Sequence, residues 1–198
     1  MMRPNLAQDA PPTVITVGGV DYNVDTDFRT WIDVLGSMRS IATAPTTIEQ
    51  VMQNANVIQE IENTVFGRII PHPANEVLDA VAAFSRGYPE APLGEGSSDR
   101  VQTYSFDFDL NYIILAIRNQ SGIDLSYRRK ETFKWWEFLL EFRSLCGNHY
   151  ILRLMEIRGY NGKDPDMKKQ AQRFALPRIT TADDQAMLDE FDAIFWNA

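Results

Sequence analysis

The stretch Tyr-Ser-Phe-Asp-Phe-Asp at residues 104–109 sets two carboxylates, Asp107 and Asp109, two positions apart inside an aromatic run. Carboxylates at this spacing suit two chemistries: holding a divalent cation, or dividing acid and base roles between them. Either use needs the two side chains to converge. On a strand they would share a face, whereas on a helix they point about 200° apart. Leu110, Ile113, Ile114 and Ile117 continue at helical spacing. The acids are therefore expected in the first turn of a helix capped by Ser105. There each carboxylate stabilises by roughly 0.3–1 kcal/mol through the helix dipole. The pair reads as a helix start.

Other chemistry is absent from the motifs. His72 lies between two prolines and His149 begins a helix. There is no Gly-x-x-x-x-Gly-Lys-Ser/Thr loop, no Gly-x-Ser-x-Gly elbow, no His-Glu-x-x-His pair and no Cys/His cluster. Asp164-Pro-Asp166 opens like a calcium loop but lacks the later ligands and the closing Glu. The expectation is a non-enzymatic protein with no metal and no cofactor. The single cysteine, Cys146, excludes an internal disulfide framework and fits a reducing compartment. Its place in Phe-Arg-Ser-Leu-Cys-Gly predicts a buried thiol at a helix end.

The elements that must position these residues are mostly helices. Residues 1–12 are expected to form a mobile tail. Thr-Val-Ile-Thr-Val, Gly18-Gly19 and Val-Asp-Tyr-Asn-Val then predict a small β-hairpin. An isolated hairpin is marginal, and its expected support is the helix that starts near Asp25–Asp27. Phe28, Trp31, Ile32, Leu35 and Met38 form that helix's stripe. After Pro45, a second helix carries Ile48, Val51, Met52, Ala55, Ile58, Ile61 and Val65. A third short helix, capped by Asn75, turns Val77, Leu78, Val81 and Phe84 inward. Residues 87–103 collect Gly, Pro, Ser and acids without period, which predicts a linker between subdomains at 13–86 and 104–198. Helices are expected over 106–120, 131–145, 150–158, 164–175 and 180–196. The predicted class is mainly α and bundle-like, with a small N-terminal hairpin.

Charge restricts the partners. The net charge is −8, which argues against nucleic acid and against an anionic membrane surface. It is unevenly spread. Residues 1–99 hold 5 Lys+Arg against 13 Asp+Glu, while residues 127–178 hold 12 against 6. Solvated faces that compensate within the fold account for most such patterns. Apolar runs are only a few residues long, and no basic segment followed by an apolar one opens the chain, so a soluble intracellular protein is expected.

Trp135-Trp136 belongs to a helix that is apolar over most of its circumference. Phe133, Trp136, Leu139 and Leu140 fall on one stripe, and Trp135, Phe138 and Phe142 on another. Such a helix is buried centrally, or it shows one side to a partner.

The ordered set Tyr-Ser-Phe-Asp-Phe-Asp, Tyr112, Ile123-Asp124-Leu125, Trp135-Trp136-x-Phe138, Ile157-Arg158, Lys163-Asp-x-x-Met-Lys-Lys and Ala175-Leu176-Pro177 resembles a bacteriophage family. Its members are encoded beside the tape-measure protein of long-tailed phages and assigned as tail assembly chaperones. The resemblance covers mainly residues 100–178. It implies a non-catalytic chaperone in the host cell cytoplasm that keeps a long, helical, apolar-striped tape-measure protein soluble during tail assembly. Self-association and contacts with other tail proteins are compatible with that role. The expected contact surface is Trp135, Trp136, Phe138, Phe142, Met155, Met167, Lys168 and Lys169. The alternative is a structural minor tail or connector component of the virion.

Overall fold

A computed structural model describes residues 10–42, 45, 47–87, 102–126 and 132–177. The tail at 1–9, most of the predicted linker, Arg128 to Lys130 and the predicted helix at 180–196 lie outside the described residues. The chain divides into two compact units. One takes Met1–Pro89 and Glu131–Leu139, the other Glu90–Lys130 and Leu140–Ala198.

The first unit opens with the antiparallel hairpin of β1 (Val14–Val17) and β2 (Val20–Asn23), with Ile15 opposite Tyr22 and Val17 opposite Val20. Gly18 and Gly19 hold φ of 55° and 82°, the two left-handed positions that a tight two-residue hairpin turn needs. Ile15, Val17 and Tyr22 turn inward. Their support is α3 (Ala74–Ser85) and the residues before it, rather than α1 (Phe28–Arg39) as predicted. The Tyr22 hydroxyl hydrogen-bonds His72 Nε2 at 2.8 Å, and a side chain at Gly18 would strike the His72 ring.

Asp27 caps α1, accepting from the backbone N–H of Arg29 at 3.0 Å. Thr47 and Gln50 close a reciprocal capping box on α2 (Ile48–Phe66), and Gly67 ends it at φ 69°. The third helix departs from expectation at its start. Asn75 lies inside it, and its cap position is Pro73, which makes no side-chain bond. Proline there fixes an extended turn without supplying an acceptor.

The fifth helix, α5 (Trp135–Arg143), begins four residues later than predicted. The chain before it is extended and bonded to the α1 start: Phe28 N–H donates to Phe133 O at 2.9 Å, and Trp135 N–H donates to Thr26 O at 2.7 Å. Pairing across Asp27 and Lys134 wins over helix propensity at these positions. Phe84, Trp31, Trp135 and Phe138 form, in that order, a continuous aromatic stack, with ring separations of 4.5, 6.5 and 5.6 Å. The indole N–H groups of Trp135 and Trp136 donate to Ser85 O and Phe84 O at 2.8 and 3.0 Å. These carbonyls belong to the last turn of α3, where the i+4 helical donors run out, and Phe84 O also accepts the Gly87 N–H at 3.1 Å.

The second unit contains α4 (Phe106–Ser121), the end of α5, α6 (Tyr150–Arg158) and α7 (Pro165–Phe174). Ser105 caps α4 through the Asp107 N–H, and Gly122 ends it at φ 74°. Asp164 caps α7 with Pro165 in its first turn. Tyr104, Phe106 and Phe142 pack ring against ring at 5.1–6.1 Å. Gln120 takes the backbone N–H of Cys146 at 2.9 Å. Cys146 itself is exposed, because the chain leaves α5 before it and turns outward at Gly147. The predicted buried thiol is thereby corrected.

Candidate interaction surface

Asp109 is a structural carboxylate of α4. Its carboxylate is buried in the first turns of α4 and accepts the Ser105 backbone N–H at 2.9 Å. It also meets Arg158 of α6, Oδ2 to Nη1 at 2.6 Å and Oδ1 to Nη2 at 3.2 Å. The guanidinium further donates to Thr103 O at 3.0 Å and Phe174 O at 2.8 Å. One arginine thus fastens the entry to α4, the end of α6 and the end of α7. Asp107, by contrast, is exposed. The two acids diverge as a helix requires, and among the described residues no three His, Cys, Asp or Glu converge to hold a metal ion.

Two carboxyl groups of the first unit titrate away from their ordinary range. Burial pushes the Asp27 carboxyl up, but hydrogen bonds from the Arg29 side chain and backbone outweigh it, and its pKa falls. Asp27 therefore favours folding above the usual carboxylate range, and that contribution is lost as pH falls through its lowered value. Burial pushes Glu62 up, only partly offset by a backbone hydrogen bond from Ile70. Its contribution to folding is present at low pH and lost as pH rises through the raised value.

The residues expected to form a contact surface do not share one. Trp135 and Phe138 have no exposed area, and Trp136, Phe142 and Met155 are buried with them. In this conformation they are core. Met167 is half-buried, while Lys168 and Lys169 are exposed, together on α7. The exposed apolar side chains are others. Phe108, Tyr112 and Leu115 recur at i, i+4 and i+7 on the outer face of α4, at 54, 42 and 43% exposure. Tyr150, at the start of α6, is 50% exposed and stands edge-on to Tyr112 with ring centroids 4.9 Å apart. A face of two tyrosines, a phenylalanine and a leucine has the composition of an interface centre. The sequence carried this signal. Besides its inward stripe, α4 has a second apolar row that the core reading left unused.

The described elements define a mainly α-helical protein with a small N-terminal hairpin and an exposed aromatic face. None of the described helices is long and apolar enough to cross a membrane. The chain belongs to the bacteriophage Gp15 protein family, whose model matches residues 8–180. Neither a curated protein nor a solved structure matches it.

Proposed function

We propose that this phage protein is a tail assembly chaperone that binds the tape-measure protein and keeps it soluble in the host cytoplasm, without catalysis or cofactor. The observation that carries the reading is the α4–α6 face. Phe108, Tyr112, Leu115 and Tyr150 offer amphipathic rings and an aliphatic anchor to an apolar-striped helix, and a helix laid on such a face is a recurrent mode of recognition. Membership of a phage family and the resemblance over residues 100–178 direct the reading toward tail assembly. Several copies acting along one long partner fit the role.

Co-expression with the tape-measure protein tests it, with solubility and pull-down as readouts. The expected result is a soluble complex that Phe108→Gln with Tyr112→Gln weakens at least tenfold, about 1.4 kcal/mol. Both side chains are half-exposed, so the double variant keeps its fold by circular dichroism. A tape-measure protein that stays insoluble and captures none of this chain overturns the proposal. Detection of the chain in purified virions would then favour a structural tail component.

A further inference from the structure

The first half of α2 presents a second apolar row, in the other unit and independent of the reading above. Ile48, Val51, Met52 and Ala55 recur at i, i+3, i+4 and i+7 and all are exposed, Ile48 at 80% and Met52 at 63%. The core-facing side of the helix is occupied. Asn54 bonds both the N–H and the carbonyl of Ala42, at 2.9 and 2.7 Å, and Ile61 and Val65 are buried.

We propose that this row docks an amphipathic helix with a basic border. The charge along this stretch of chain is one-sided. Residues 40–67 hold Glu49, Glu60 and Glu62 and no Lys or Arg, and Arg39 and Arg68 lie beyond the two ends. Glu49, Asn56 and Glu60 recur at i, i+7 and i+11, which lines them along the border of the row that faces away from Ile61 and Val65. Both of these glutamates are exposed. A helix laid on Val51 and Met52 meets the core side on one flank and carboxylates on the other, so Lys or Arg on its outer flank is complementary.

A second copy of the chain fits less well. An antiparallel two-fold pairing opposes each patch with itself and brings the glutamate border of one copy against that of the other.

The test uses the full chain and labelled peptides of about 18 residues, five helical turns. One carries a leucine stripe on a lysine background, one the same stripe on glutamate, and one the leucine–lysine composition scrambled to remove the stripe. The striped lysine peptide is expected to bind, less tightly as salt rises. Val51→Gln with Met52→Gln weakens it about tenfold, and Glu49→Gln with Glu60→Gln about threefold, in line with screened surface pairs. All peptides are measured on the Phe108→Gln with Tyr112→Gln background, which removes the exposed face of α4 and leaves the α2 row intact. The proposal fails if the glutamate or scrambled peptide binds as well, if no peptide binds, or if Val51→Gln with Met52→Gln has no effect. It also fails if sedimentation shows a dimer that this variant dissociates, which would assign the row to a second copy.

Discussion

The two units are fastened by different physics. In the first, three indoles do the joining: Trp31 donates to Asp25 O at 2.7 Å, and Trp135 and Trp136 cap the end of α3, all inside a stack of rings. The polar bonds there ride on large apolar surfaces that are buried in any case. In the second, Arg158 reaches a carboxylate and two carbonyls from two other segments, and the pairing is itself what must offset its burial. An aromatic joint tolerates changes of polarity poorly but carries its own hydrophobic gain. A buried ion pair adds little net stability but punishes the loss of one partner.

That contrast breaks most visibly at Trp135. Trp135→Ala empties the centre of the stack and strips Ser85 O of its donor, and should cost about 3–5 kcal/mol by denaturant unfolding. Arg158→Met should follow closely, costing about 3–5 kcal/mol because the Asp109 carboxylate stays buried without a cation. The two then separate on rescue. Adding Asp109→Leu to Arg158→Met should recover much of the loss, since an apolar pair replaces an ionic one, whereas no single partner change restores Trp135→Ala. If Asp109→Leu makes the variant worse, the pair is not the burden described here. The smallest effect is expected at Glu62. Glu62→Gln should raise stability at neutral pH, an advantage that shrinks as pH falls and the native carboxyl takes up its proton. Asp27 works in the opposite direction, so Asp27→Asn should lose stability at neutral pH and converge with the parent in acid.

Local signals made much of the architecture legible. Gly18-Gly19 between β-branched runs, Ser105 before two acids, and Asp164-Pro165 each specify their turn or cap within a few residues. The start of α5 was not legible, because the extended run before it is held by backbone bonds to residues 26–28. Nor was the Asp109–Arg158 pair, whose members lie 49 positions apart and carry no mark of each other. Aromatic density is greatest at Trp135, Trp136, Phe138 and Phe142, all buried here, and density of that kind marks a core as readily as an interface. The better cue was surplus. Phe108, Tyr112 and Leu115 on α4, and Ile48, Val51 and Met52 on α2, are apolar residues beyond what one buried face can use.

The first unit also draws its last piece, Glu131–Leu139, from well after its main run ends at Pro89. During synthesis at about 5–20 residues per second, the intervening chain takes seconds to emerge. Until Trp135 and Trp136 arrive, Trp31 lacks the first and Phe84 the second as ring partners. A nascent chain paused before that point would carry an exposed aromatic seam, and expression of residues 1–89 alone would yield a fragment prone to aggregate rather than a folded domain.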